Sequence, residues 1–224
     1  MFEKQGQHYF LLVVLLVCVY FFAAGDVLSG QLWGIGTQTW LWVAVVTPIL
    51  HQIFVVFAWR AELYHHKLTE WFGDKAFTIY KVIFTILFVG RPITLILLGI
   101  SNANTLNLNS TLSYSIAVIL FIPFAYTMYS VANYFGMDRA YGIDHFEPSI
   151  YKNETFVKKG MFKYTNNAMY KFGFLGLWAI GFVFLSKAVL LAAAFNQLYI
   201  WVHFYFTELP DIRHIYGDQS KESV

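Results

Sequence analysis

Two polar clusters flank the last long apolar stretch of the chain, and both carry side chains that bind cations. The first cluster, residues 156–170, ends with Tyr170, and the second, residues 203–208, ends with Glu208. The aromatic candidates of the first cluster are Phe162, Tyr164 and Tyr170. A carboxylate can neutralise an ammonium group or accept its proton, and an aromatic face adds cation–π attraction of about 0.5–2 kcal/mol. Taken singly, these aromatics also fit an interfacial belt, so only their joint spacing with Glu208 indicates a site for a cationic amine.

The apolar stretch 172–206 is the element that must bring the two clusters together. It exceeds the roughly 20 residues that one membrane crossing requires, and it is interrupted by Ser186-Lys187 and again by Asn196-Gln197. This pattern predicts a helical hairpin with its turn at either polar pair and with a short first arm, about 172–185. Both ends of a hairpin lie at one membrane face, so the clusters are expected to form one pocket.

The rest of the chain is typical of an integral membrane protein. Its 224 residues are 58% hydrophobic and only 12% charged, and the mean hydropathy is +0.54. Four further apolar runs are long enough to cross a bilayer; they are residues 9–24, 39–59, 82–100 and 112–135. The first lacks a small-residue cleavage site leading into a soluble domain, which favours a helix over a signal peptide. Together with the hairpin they predict an all-α transmembrane bundle of about six passes.

The basic residues indicate how this bundle is oriented. Of the 15 lysines and arginines, thirteen fall in the two terminal tails and in segments 59–81 and 137–171, whereas segments 25–38 and 101–111 contain none. Basic loops favour the cytoplasm. We therefore expect both termini and the candidate pocket on the cytoplasmic side of the membrane.

The same pattern divides the chain into two parts. Residues 1–136 are expected to form a four-helix transmembrane region, with segment 60–75 as an interfacial helix because charged and apolar residues alternate there. Residues 137–224 contain the long polar loop, the hairpin and the tail. A loop of that length between packed helices is unusual unless it is functional, so we expect the site in this second part.

Several classes of function are disfavoured by the composition. The net charge is only +2 and the basic residues are dispersed, which is not typical of nucleic-acid binding. The single cysteine, Cys18, excludes an intramolecular disulfide and a cysteine-rich metal site. Seven histidines never form the clustered boxes of a di-iron desaturase, so no metal is expected. Internal repeats typical of transporters are absent, and no obligate protein partner is indicated.

Two isolated residues are candidates for binding a substrate. Arg91 lies near the middle of the third apolar run, where a charge is costly unless it is paired or hydrated. It either contacts a lipid phosphate or another substrate anion, or it pairs with a buried carbonyl or with Asp26. His145 lies in the long loop beside Glu147, and either side chain could line the pocket.

The C-terminal third resembles the integral membrane methyltransferases, which include phosphatidylethanolamine N-methyltransferases and isoprenylcysteine carboxyl methyltransferases. In that family a loop Leu-Val-x-x-Gly-Pro-Tyr-Arg-Tyr-x-Arg-His-Pro-x-Tyr leads into a hairpin that ends in a glutamate. Here Phe156 and Val157 stand for the Leu-Val pair, and Asn166-Asn167-Ala168 replace Arg-His-Pro. Met161 replaces the first proline.

The resemblance implies a site for S-adenosylmethionine. The residues implied to bind this cofactor are Gly160, Phe162, Lys163, Tyr164, Asn166, Asn167, Tyr170 and Glu208. The residues implied to be catalytic are Glu208 and His203, of which the second falls where carboxyl methyltransferases often carry an arginine. The substitution of Asn166 for the family's arginine leaves open which residue holds the carboxylate of the cofactor.

The implied activity is methyl transfer to a lipid-soluble acceptor in the membrane, and the amine of a phosphatidylethanolamine-type head group fits best. An isoprenylcysteine carboxylate or a small thiol is an alternative that a strongly apolar cleft would favour over a wet, anionic one. A third hypothesis is a non-catalytic scaffold or lipid-binding protein that lost the cofactor. Loss of cofactor binding with retained lipid binding would single it out.

Overall fold

A computed structural model describes residues 3–217, and within them the regular secondary structure is helical apart from one very short β-hairpin. The α-helices are α1 (Gln5–Phe22), α2 (Thr37–His65), α3 (Lys67–Phe72), α4 (Ala76–Ser101), α5 (Ser110–Ser130), α6 (Met137–Ala140), α7 (Pro148–Tyr151), α8 (Leu175–Val183), α9 (Lys187–His203) and α10 (Leu209–Tyr216). The strands are β1 (Gln31–Leu32) and β2 (Ile35–Gly36), which pair antiparallel.

Five helical segments within the described residues are long and apolar enough to cross a membrane. They are Gln5–Phe22, Thr37–His65, Lys67–Ser101, Ser110–Phe135 and Lys187–Tyr216. A sixth apolar segment, Met169–Val183, is shorter. The prediction of an all-α membrane protein is thereby confirmed, while the count of six passes stays a prediction.

Helix α2 is longer than its apolar run because its charged end is buried by other parts of the chain. The segment 60–75, expected as an interfacial helix, divides at His66, which has a left-handed φ of 50°. Residues 60–65 continue α2, and Arg60 and Glu62 are 1% and 0% exposed. The Glu62 carboxylate accepts a hydrogen bond from the Thr69 backbone N–H at 3.0 Å, which satisfies one free donor at the start of α3.

The C-terminal hairpin forms as predicted, and its turn lies at the first of the two polar pairs. Leu185 adopts a left-handed φ of 47°, and the Ser186 hydroxyl accepts from the Val189 N–H at 3.2 Å, which caps α9. The Asn102 side-chain oxygen accepts from the Ser186 hydroxyl at 2.8 Å and so ties the turn to the end of α4. Residues 196–197 lie inside α9.

The helical conformation continues beyond the end of α9 at His203. It passes through the π-helical turn Phe204–Glu208 into α10, where Pro210 occupies the first turn and needs no hydrogen-bond donor. Two further π-helical turns are Val131–Phe135 after α5 and Met169–Gly173 before α8. All three turns lie at the end of the bundle that carries residues 137–168, which we call the loop end. Such turns are common at functional sites because they redirect side chains that a regular helix would place elsewhere.

Candidate functional site

The two polar clusters meet through Tyr170 and Glu208. The Tyr170 hydroxyl donates a hydrogen bond to Glu208 Oε2. The Gln197 side-chain amide, on α9, donates to the Tyr170 backbone carbonyl at 2.7 Å and holds the first arm in register with the second. The hairpin therefore joins residues 38 positions apart in the chain, as the apolar stretch between them indicated.

A cavity of about 90 Å³ lies beside this contact, and we call it the loop-end cavity. Its charged and polar lining side chains are Arg139, Asp144, His145, Asn166, Asn167, Tyr170, Glu208 and Tyr216. Five of them were site candidates in the sequence; these are His145, Asn166, Asn167, Tyr170 and Glu208. Because two carboxylates line the cavity beside one guanidinium, its chemistry suits a ligand that carries both a cationic and an anionic group.

The remaining cofactor candidates lie elsewhere. Gly160 has a left-handed φ of 58°, and a Cβ added there would lie 2.5 Å from the Ser130 hydroxyl oxygen. The neighbouring Met161 N–H donates to that same oxygen at 2.9 Å, so this part of the loop is fastened to the end of α5. Gly160 therefore serves close packing here rather than lining a cavity.

The next three residues show the same separation from the cavities. Phe162 is 2% exposed and stacks on Phe135 with ring centroids 4.8 Å apart. Lys163 and Tyr164 are exposed on the surface. Phe162, Lys163 and Tyr164 line neither this cavity nor the one described below, because fastening residue 161 to α5 turns the following side chains away.

Asp144 and His145 form a pair in one wall of the loop-end cavity. Only His145 was a candidate in the sequence. His145 Nδ1 lies 3.0 Å from Asp144 Oδ1, and the Tyr216 hydroxyl donates to Asp144 Oδ2 at 3.0 Å. The imidazole stacks on Trp59 with ring centroids 4.0 Å apart. Gly142 permits this stack, because a Cβ there would lie 2.5 Å from the Trp59 ring. His145 Nε2 is buried without a hydrogen-bond partner among the described residues.

The surroundings of the pair favour its charged form. Burial alone lowers the pKa of His145, but the Asp144 carboxylate, its hydrogen bond and the carboxylates of Asp211 and Glu208 outweigh burial and raise that pKa above its ordinary value of 6.5. Burial likewise acts to raise the pKa of Asp144, yet His145 and the Tyr216 hydroxyl lower it below 3.8. Both directions favour an imidazolium–carboxylate pair at neutral pH.

This pair predicts a pH-dependent stability. The folded state holds the His145 proton more tightly than the unfolded chain, so its contribution is complete below the ordinary histidine pKa and is lost as the pH rises through the raised value. We expect the thermal stability difference between wild type and His145→Gln, measured in detergent, to shrink from about pH 6 to about pH 8.5. His65→Gln, at an exposed position, is the control. A difference that grows with pH would contradict the charged pair.

A second buried pair lies next to the first and was not anticipated. Arg60 Nε lies 3.2 Å from Asp211 Oδ2, with side chains 1% and 0% exposed. The same guanidinium donates to the Thr207 carbonyl at 3.2 Å and to the Glu3 carbonyl at 2.9 Å. It therefore joins α2, the hairpin exit and the start of the chain. The only indication of Asp211 in the sequence is its position three residues after the candidate Glu208.

A larger cavity of about 290 Å³ lies beside the first, and because most of its lining belongs to the long apolar helical segments we call it the membrane cavity. Its polar lining side chains are His51, Gln52, Arg91, Tyr141, Tyr170 and His203, and its aromatic ones include Trp59, Phe84, Phe88, Phe124 and Phe174. His203, expected to be catalytic beside Glu208, lies here and not in the loop-end cavity. The two cavities adjoin, since Trp59, Ala140, Met169 and Tyr170 line both.

Arg91 lines the membrane cavity, and one of its expected partners is excluded. Asp26 instead pairs with Lys187 at 2.7 Å, at the end of the bundle opposite the loop end. The guanidinium of Arg91 lies over the ring of Phe174 at 5.8 Å. The substrate alternative for Arg91 thus stays open.

An apolar helical bundle with two adjoining cavities beside its C-terminal hairpin defines the class of this chain as an integral membrane protein. Residues 112–219, slightly less than half of the chain, match the family model described as phospholipid methyltransferase, a membrane methyltransferase family. The match confirms the predicted resemblance and covers α5 to α10. Comparison with curated proteins and with solved structures gives no match. His51 and Arg91 lie outside the matched segment.

Proposed function

We propose that the chain transfers a methyl group from S-adenosylmethionine to the amine of a membrane lipid. When bound, S-adenosylmethionine supplies a methyl group on a cationic sulfonium. The observation that carries the proposal is the pairing of Tyr170 with Glu208 inside a cavity that also contains Asp144. This donor set suits a cofactor that is cationic at sulfur and amino groups and anionic at its carboxylate.

Arg139 is the candidate for binding the carboxylate of the cofactor, a role that the family resemblance left without a residue. The family's arginine is replaced by Asn166, but Arg139 reaches the same cavity from α6, where its Nη1 also lies 3.3 Å from Oε2 of the half-exposed Glu154. We assign the cofactor carboxylate to this guanidinium, since arginine binds carboxylates through two parallel hydrogen bonds. The cavity is smaller than the roughly 300–1,000 Å³ of whole-ligand pockets. The assignment therefore concerns the amino-acid part of the cofactor.

Glu208 has two tasks in this proposal, which are to place a negative charge opposite a cation and to accept a proton from the substrate. An ammonium has no lone pair, so the acceptor must lose a proton before its nitrogen can attack, and Glu208 is the carboxylate that accepts it. Tyr170 holds the carboxylate in one orientation, so positioning rather than base strength supplies most of the rate. An anionic nucleophile such as an isoprenylcysteine carboxylate would be repelled by Glu208 and Asp144. These two carboxylates therefore favour the amine, although the membrane cavity beside them is largely apolar.

We further propose that the loop end faces the cytoplasm. The lysine and arginine residues of the loops between α2 and α4 and between α5 and α8 lie at this end. Basic loops remain cytoplasmic, which is also where the cofactor is made available.

Calorimetry on the detergent-purified protein tests the proposal. We expect saturable binding of S-adenosylmethionine and of its demethylated product, weakened about tenfold or more by Arg139→Gln because a charge-assisted pair is lost. Lys163→Gln is the matched control, because Lys163 is exposed and lines neither cavity. Weakening by Lys163→Gln and not by Arg139→Gln would favour the sequence correspondence over the observed geometry. No binding at millimolar cofactor would leave the non-catalytic scaffold.

A further inference from the structure

The membrane cavity contains a cluster of buried nitrogen atoms without hydrogen-bond partners. Arg91 Nε and Nη2, both ring nitrogens of His51 and His203 Nδ1 are buried and unpartnered among the described residues. The three side chains are 4%, 2% and 2% exposed. A buried group left unpaired costs the full loss of its hydration, and most for a charged group. The two Arg91 atoms are donors, so they indicate a ligand that supplies hydrogen-bond acceptors, and each neutral imidazole can donate to such a ligand through one ring nitrogen.

The two cavities differ in where they offer carboxylates. Among the described residues that line the membrane cavity none is an aspartate or glutamate, and Arg91 is its one cation. The loop-end cavity carries the carboxylates of Asp144 and Glu208 together with Arg139 and His145. Tyr170 lines both cavities and bonds Glu208, so one ligand can reach from the Glu208 carboxylate toward the Arg91 guanidinium.

We propose that the membrane cavity binds the methyl acceptor and that Arg91 binds its anionic group. The inference rests on the proposed function for the reacting end, where an ammonium meets Glu208. The acceptor is then a zwitterionic amphiphile with its amine at Tyr170 and Glu208 and its phosphodiester toward Arg91. An arginine paired with a phosphate also removes the cost of a lone guanidinium within a membrane helix.

The remaining lining fits the apolar part of such a ligand. Phe88 and Met137 both line the cavity, and they are 46% and 49% exposed. The cavity therefore reaches the surface of the bundle at α4 and at the start of α6. Acyl chains can leave through this opening into the bilayer, so the cavity needs to enclose only the polar part of a lipid.

The test is binding of two probes to the detergent-purified protein without cofactor. One probe is dihexanoyl-phosphatidylethanolamine, and the other is dodecylamine, which has the amine and an apolar chain but no phosphate. We expect Arg91→Gln to weaken the phospholipid about tenfold or more, and dodecylamine less than about twofold. Arg213→Gln, at an exposed arginine of α10, is the matched control and leaves both probes unchanged.

A second variant keeps the test decisive if Arg91→Gln folds poorly. Arg91→Lys retains the charge and removes the two unpartnered donors, and we expect a smaller weakening that is again confined to the phospholipid. Equal affinity of wild type and both variants for the phospholipid would overturn the proposal. Parallel weakening of both probes would also overturn it. Since the cofactor is absent, this result is independent of whether methyl transfer occurs.

Discussion

Glu208→Gln is expected to lower the rate of methyl transfer by about 10²–10⁴-fold, the range for removal of a positioned general base. Glutamine has the same size and still accepts the hydrogen bond from Tyr170, so the hairpin contact remains. What is lost is the negative charge opposite the cation and the proton acceptor. Transfer of a labelled methyl group from S-adenosylmethionine to phosphatidylethanolamine in detergent micelles measures the effect.

A second variant separates the effect of the Glu208 charge from that of its hydrogen bond with Tyr170, and a third serves as the control. Tyr170→Phe removes the hydrogen bond but keeps the Glu208 carboxylate, and we expect a smaller loss of rate because positioning alone is weakened. Glu70→Gln on α3 is the matched control, since this carboxylate is exposed and pairs only with Lys67 among the contacts of the described residues. A Glu208→Gln variant that retains half the wild-type rate would rule out the assigned role.

Asp211→Asn is expected to destabilise the folded protein by about 3–5 kcal/mol, the usual cost of removing one partner of a buried ion pair. The substitution leaves the Arg60 guanidinium buried beside neutral groups. Because Arg60 also bonds the Glu3 and Thr207 carbonyls, the loss loosens three segments together. Unfolding in mixed micelles of increasing denaturing detergent, followed by circular dichroism, gives the change.

Controls for this prediction come from the opposite end of the bundle and from the pair itself. Lys187→Gln breaks the exposed pair with Asp26, whose side chains are 35% and 68% exposed, and should leave the transition within error. Replacing both members, Arg60→Met with Asp211→Leu, should recover most of the loss because no charge remains unpaired. A double variant as unstable as Asp211→Asn would show that the cost has another origin.

Much of the architecture was predictable because it depends on local properties. An apolar run of about 20 residues identifies a membrane helix whatever surrounds it, so the long spans were predicted and only their ends differ. Tyr170 and Glu208 were predicted to meet because a hairpin returns the chain to the same membrane face. The extension of α2 was missed, since a window of hydropathy ends at Arg60, whereas the folded chain buries that residue.

Other parts of the site depend on contacts between distant segments. Asp144 and Tyr216 are 72 positions apart, and Arg60 and Asp211 are 151 positions apart. Neither pair has a local pattern that reveals it. Gly160 and Phe162 matched a family position by type and spacing, yet fastening of the loop to Ser130 places them against α5. The position of His203 likewise depends on how α9 packs against Trp59, 5.8 Å away.

Amino-acid order thus determines the membrane character, the hairpin and the carboxylate at its exit, because hydropathy and turn residues act over a few positions along the chain. Packing determines which charged side chains line each cavity. That distribution follows from where the helices, their π-helical turns and the long loop place their few polar side chains. Burial makes each unpaired one costly enough to require a partner or a ligand. Arg91 illustrates the difference between sequence and packing. Its apolar sequence neighbours already show that its charge is costly in a membrane helix. Its position relative to Tyr170 and Glu208 is determined only in the folded protein.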